Sequence, residues 1–344
     1  MDTTERDGRE VVQSTALRDL EPAPHAAVDA AGTVRVGSFR GSMRHVDFSA
    51  HPRSRLRRVA GEKRWVYVAL ATERLFVAVA VVRMGYASKL FAFAYDADRR
   101  AMLADVSRMA PPFSAAIGES ALVSDVATYR FAGDHARFTT DTGGHRLVVR
   151  AGSLRVDARL SGEAPPALSS VVRIGRSGDP HATEKRALMP LDGEIHVGGA
   201  RLPLANGFGG YDYSSGFPGR HTTWRWAFGM GLDAAGEPLG FNLVEGFVGA
   251  PECAVWHRGE VHGLPEGRFT KDAPMEPWSV VTEGREAELA FAPGALHDEH
   301  VNLGLLRSTF IQPVGAYSGA FRLGGGEVRI GRMLGVAEDQ DVFW

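Results

Sequence analysis

Between Arg64 and Val82 the chain reads RWVYVALATERLFVAVAVV. Two apolar runs rich in valine, alanine and aromatic residues flank Thr72-Glu73-Arg74, which has the character of a turn. Runs this short suit strands; an amphipathic helix would need a longer stretch with apolar residues three and four apart. The same pattern recurs in SKLFAFAYDADRR, ALVSDVATYRF, ARFTTDTGGHRLVVRAG and SLRVDARLSG. A second block from about Ala182 continues it with GEIHVGGARLPL, TTWRWAFGMGL, PLGFNLVEGF, AVWHRGEVHGL and WSVVTEGREAELAF. Helical spacing is scarce, and ADVSRMA at 104–110 is a weak exception. Short strands with turn signals between them predict an all-β, antiparallel architecture with few short helices. The expected division is a loose arm over 1–31, a first β-barrel domain over 32–180 and a second over 181–344. RSGDPHATEKRALMP is then the crossing segment.

Composition limits the function classes. A net charge of -2 gives no general attraction to nucleic acid or to an anionic membrane. The basic run HPRSRLRRVAGEKR at 51–64 reads as a charged loop leading into a strand. Cys253 has no partner for an internal disulfide and reads as a small packing residue. The opening MDTTERDGRE is charged where a signal peptide needs an apolar run, and LFVAVAVV at 75–82 is too short to span a bilayer. The expectation is a cytoplasmic protein without an integral membrane segment.

Several chemistries leave no trace. There is no P-loop, no G-x-G-x-x-G between a strand and a helix, and no G-x-S-x-G elbow. HDEH at 297–300 reads as a solvated loop rather than a metal site, and His257 and His262 of WHRGEVH as surface residues of a hairpin. No metal or cofactor is expected.

The densest group of heavy side chains is RHTTWRWAFG, with Trp224 and Trp226. Period-two alternation puts Thr222, Trp224, Trp226, Phe228 and Met230 on one face and His221, Thr223, Arg225 and Ala227 on the other. If Leu232 pairs with Glu237 across the turn DAAGE, Trp224 faces Glu245, Trp226 faces Leu243, and Asn242 lies beside Ala227 near Arg225. Glu245 is then a carboxylate among bulky apolar groups, where burial would raise its pKa and make it a proton donor. The plain alternative is an edge carboxylate that pairs with Arg225 or Arg220. Upstream, NGFGGYDYSSGFPGRH reads as a glycine-rich lid carrying Tyr211, Asp212 and Tyr213, or as a structural turn. In GVAEDQDVFW, Glu338 and Asp339 are adjacent, so on a strand only one can face inward; a hydrated loop is the default.

KRWVYVALATERLFVAVAVVRMGYASKLFAFAYD, TTWRWAFGMGL with GEPLGFNLVEGF, QPVGAYSG and the closing GVAEDQDVFW together resemble the DUF2804 family. That family is similar to lipocalin-like two-barrel proteins, among them carotenoid hydratases and tocopherol-cyclase-type relatives. The resemblance implies two calycin-like barrels with a hydrophobic cavity. It marks Trp224, Trp226, Asn242 and the pair Glu338-Asp339, and where the family often has a histidine after that pair this chain has Gln340. The functional expectation is a cofactor-independent enzyme acting on a terpenoid, fatty acyl or polyketide-like molecule by acid-assisted hydration, isomerisation or cyclisation. Glu245 or Asp339 is the expected proton donor. Trp224, Trp226, Asn242, Tyr211, Asp212, His221, Arg225 and Glu338 are the expected substrate contacts. The alternatives are a lipocalin-like carrier, with the same cavity and no reactive group, and a pair of barrels filled by side chains.

Overall fold

Strand Lys63–Ala71 is apolar on both faces because both are buried. Val66, Val68 and Leu70 point into one core, while Tyr67, Ala69 and Ala71 point into another. The neighbouring strands Leu75–Arg83 and Ser88–Asp96 divide in the same way. Val77, Val79 and Leu90 join the first core, and Phe76, Ala78, Phe91 and Phe93 the second. The computed structural model describes residues 17–344 apart from 53, 55–60, 176–177, 303, 305 and 325. Half of the basic run at 51–64 and residues 1–16 of the expected arm thus lie outside the described residues.

The protein is all-β, with two curled antiparallel sheets; the described residues include two short 3-10 turns, Pro112–Ser114 and Ala250–Glu252. Among the described residues the first sheet has 15 strands. Along its main path Ala101–Ala110, Ser88–Asp96, Leu75–Arg83 and Lys63–Ala71 lead to Gly207–Gly216 and the long strand Asp179–Val197. Hairpins over residues 115–161 complete that path. Among the described residues the second sheet has nine strands, centred on His221–Asp233, Gly326–Phe343 and Arg307–Leu323. Asp179–Val197 runs across the expected 180/181 boundary and belongs to the first sheet, so the sheets change over between Gly216 and His221. The described part of the arm is tied down: Arg18 donates to the backbone carbonyls of Leu264 at 3.0 Å and Ala250 at 2.5 Å in the second sheet's segment.

Long strands bend where one residue leaves the ladder. Asp179–Val197 shifts register between Arg186 and Met189, with Leu188 at φ 59°, and pairs with Leu168–Ile174 before the bend and Leu154–Ser161 after it. Such a bulge re-aims the side chains beside it. Lys185 lies immediately before this one.

The sheets meet where side chains are smallest. A Cβ on Gly210 would lie 2.8 Å from the Phe228 ring, 3.0 Å from Met230 Sδ and 2.6 Å from the Arg186 carbonyl. Gly210→Ala is therefore expected to overpack the contact and cost about 1–3 kcal/mol. This should appear as a lower urea midpoint with an unchanged slope, whereas a wild-type midpoint would mean that the sheets move apart freely.

Candidate active site

A largely apolar cleft lies between the sheets. The first sheet supplies Trp65, Tyr67, Phe91, Lys185 and Asp212, and the second supplies Trp224, Trp226, Phe247 and Glu338. Alternation explains this selection. In Gly207–Gly216, Tyr211 and Tyr213 face the first core, so Asp212 faces the cleft.

The tryptophan hairpin departs from the expected register by one residue. Asp233 N–H donates to the Glu237 carbonyl at 2.8 Å, and Asp233 Oδ1 accepts from the amides of Ala235 at 2.8 Å and Glu237 at 2.9 Å. Gly236 adopts φ 88° and closes a three-residue loop. Leu232 therefore pairs with Pro238, Arg225 with Glu245, Trp226 with Val244 and Phe228 with Asn242. A slip of one exchanges the faces. Asn242 moves onto the tryptophan face, where Oδ1 accepts from Trp226 Nε1 at 2.7 Å and Nδ2 donates to the Glu252 carbonyl at 2.7 Å.

Glu245 moves the other way and does not line the cleft. It pairs with Arg225 at 3.2 Å and accepts from the Phe269 amide at 3.1 Å, while Arg225 donates to the Phe269 carbonyl at 3.1 Å. Together they tie strand Gly267–Thr270 to the hairpin and close the curl of the second sheet. Asp339 joins that cluster, 3.0 Å from Lys271 and 3.5 Å from Arg225. His221 is exposed, stacked on Phe343 and paired with Asp341 at 2.9 Å.

The carboxyl that does stand on the aromatic face is Glu338. GVAEDQDVFW is strand rather than hydrated loop, and Glu338 sits directly across from Trp226. Its Oε1 accepts from Trp224 Nε1 at 2.6 Å and its Oε2 from Gln312 Nε2 at 2.6 Å. Burial outweighs both bonds and pushes its pKa up to about 7. The indole of Trp224 is also stacked on Trp65, 6.3 Å between centroids and 5° between planes. Phe247 leans on both at 5.6 and 6.3 Å. Its φ of 51° is costly for a bulky residue, a strain held where it packs the aromatic wall.

The floor carries a second polar group. Lys185 Nζ lies 2.6 Å from Asp212 and 3.1 Å from Glu252. Burial opposes the ammonium charge, but the two acids outweigh it and raise its pKa. Burial likewise pushes the Glu252 carboxyl above the usual range against the pull of Lys185.

Residues 21–344 match the family described as a domain of unknown function, DUF2804. The chain belongs to the DUF2804 family. No curated protein matches it. The fold of this DUF2804 member is similar to that of CghA, with a TM-score of 0.54, 13% identity, and 96% of this chain and 98% of that one covered. A structure of CghA with Sch210972 gives 0.54 at 12% identity, covering 94% and 97%. Kievitone hydratase from Nectria haematococca gives 0.49 at 13% identity, covering 83% and 90%. At this identity the likeness concerns the fold alone.

The remaining sequence expectations divide. Trp224, Trp226, Asp212 and Glu338 line the cleft, and Asn242 braces it from behind. Tyr211 does not; it is buried in the first sheet with its hydroxyl on Glu184 at 2.6 Å, in a strand rather than a lid. Nor is HDEH a loop: His297 is buried in strand Ala287–Asn302, paired with Asp105 at 2.7 Å. His257 is buried against Asp233 at 3.0 Å rather than on the surface. Cys253 is a packing residue whose thiol is pushed up to about 12 by burial. No helix of the described residues is long and apolar enough to cross a membrane, and none of their acid, histidine and cysteine groups forms a metal-binding cluster. Lys185, Glu252, Gln312 and Trp65 were not singled out from sequence. The only available signal was a charged EKR triplet inside an otherwise apolar stretch.

The raised Glu338 pKa fixes a sign. The folded state binds this proton more tightly than an ordinary carboxyl at 4.5, so the associated stability is full below about 4.5 and is lost as pH rises through about 7. The loss is roughly 3 kcal/mol. Glu338→Gln cannot ionise, so its stability relative to wild type should climb by that order between acid and mildly alkaline pH, read as the difference in denaturant midpoints. Parallel curves would show that Glu338 titrates normally.

Proposed function

We propose that the cleft is the active site of a cofactor-independent enzyme for a hydrophobic small molecule, with Glu338 as the proton donor. The observation that carries this reading is a buried carboxyl, held by two neutral donors and pushed up to about 7 by burial, on the aromatic wall of an open cleft. Near neutral pH a large share of it is protonated, so it is matched to general acid catalysis. The groups that Trp224 and Gln312 donate hold the carboxyl plane in place and favour the carboxylate left after transfer.

In the proposed step the Glu338 O–H bond breaks as an alkene π pair forms a new C–H bond. The electron-deficient carbon that results faces Trp65, Trp224 and Phe247, whose ring faces attract a cation. Three outcomes balance. Water adds and releases a proton, giving hydration. The carboxylate takes a proton from the adjacent carbon, giving isomerisation. A second π bond attacks that carbon and the new cation returns a proton to the Glu338 carboxylate, giving cyclisation. The donor role sketched for Glu245 and Asp339 passes to Glu338, because only a group facing the cleft can reach a substrate there.

Native mass spectrometry of the freshly purified chain should reveal a carried lipophile. Incubated in D₂O with wild type, that compound should acquire carbon-bound deuterium. Glu338→Gln should lower the rate at least about a hundredfold, and the wild-type rate should fall as pH rises past about 7. A lipophile held by both proteins and changed by neither would support a carrier instead. Wild-type turnover by Glu338→Gln would remove the acid.

A further inference from the structure

Toward one end of both sheets Met84, Leu306, Val342 and Trp344 line the cleft. Three segments meet there. Met84 N–H bonds the Ala87 carbonyl at 2.9 Å, forming the turn that carries Tyr86. Ser88 Oγ donates to the Pro111 carbonyl at 2.8 Å and brings the 3-10 turn Pro112–Ser114 alongside. Trp344 N–H bonds the Arg220 carbonyl at 2.9 Å, and Lys63 Nζ lies 4.9 Å from the Tyr86 ring and 5.9 Å from that of Trp344.

Exposed aromatic side chains stand at this end. Phe113 is 86% exposed and Tyr86 44%. Arg220 and Arg307 are exposed beside them, and Arg83 is half-buried. Arg307 lies over the ring of Phe343, and of the acids near this end Asp341 is paired with His221 at 2.9 Å, Glu62 with Arg64 at 2.7 Å and Glu299 with Lys89 at 2.6 Å. A chain of net charge -2 thus carries a locally basic, aromatic rim at the mouth of an apolar cleft. Arginine beside exposed aromatic rings suits the headgroup layer of a bilayer. A stable protein interface would need a larger apolar centre, with roughly 800 Å² buried per partner.

We propose that this rim docks on an anionic lipid bilayer, with Phe113 and Tyr86 entering the headgroup boundary and Arg220 and Arg307 on the phosphates. A lipophile then passes between bilayer and cleft without crossing water. The proposal rests on the cleft being a site for a hydrophobic molecule and adds where that molecule comes from.

The full chain should sediment with phosphatidylcholine vesicles containing phosphatidylglycerol, less with phosphatidylcholine alone, and less as salt is raised. Phe113→Ser, at a site too exposed to disturb folding, should weaken partitioning about tenfold. Adding Tyr86→Ser should weaken it further, and Arg220→Gln with Arg307→Gln should erase the preference for anionic lipid. Quenching of tryptophan fluorescence by dissolved farnesol reports on the cleft separately. If farnesol quenches but neither vesicle type binds, or if the Phe113→Ser/Tyr86→Ser protein binds vesicles as wild type does, docking is overturned while the cleft reading stands. If vesicles bind and farnesol does not, docking is supported and the cleft reading fails.

Discussion

The face-to-face contact of two sheets, each already folded on a core of its own, governs the rest of this structure. It demands that strands 63–71, 75–83 and 88–96 be apolar on both sides, and that small residues stand where the sheets approach closest. Ala69, Ala78 and Gly210 meet that demand on the first sheet, facing Phe228 and Met230 on the second. Toward one end the first sheet changes from alanine and glycine to Trp65, Lys185 and Asp212, and a cleft opens instead of a packed seam. The site is thus a continuation of the interface in which close packing gives way to larger and more polar groups.

Electrostatics inside the cleft follow from the same burial. Lys185 is kept charged by two acids, and Glu252 is pushed up although the ammonium beside it favours its ionised form. Glu338 has neutral donors rather than a cation as its direct hydrogen-bond partners, so burial prevails and its proton is held to about 7. On the other side of the same strands Arg225, Glu245 and Asp339, partly exposed, form an ion-pair cluster that holds strand to strand.

The strand pattern was legible in the sequence, and so was the prospect of a carboxyl beside the tryptophans, but which carboxyl stands there was not. The alternation of RHTTWRWAFG was readable, as was the rule that only one of Glu338 and Asp339 can face inward. The turn was misread by one residue, because Asp233 is part of the closing pair and not of the loop. That shift exchanged Glu245 and Asn242 between faces. Tyr211 and Asp212 looked like a mobile lid because glycines surround them, yet those glycines permit close approach of neighbouring strands and sheets. Gly209 faces Leu160, and Gly210 faces Phe228.

By itself the sequence determined the secondary-structure class, the strands that must be buried twice, and the scarcity of helices. These depend on local alternation and on residue size. It also placed Trp224 and Trp226 on one face, which needs only the period of a strand. Only the tertiary structure decided that Lys185, Asp212, Glu252 and Glu338 share one cleft, since those residues come from different strands and a 3-10 turn far apart in the chain. Side-chain period is a property of each strand alone. Register and sheet-to-sheet approach depend on turn hydrogen bonds and on contacts between distant segments, and no local pattern encodes them.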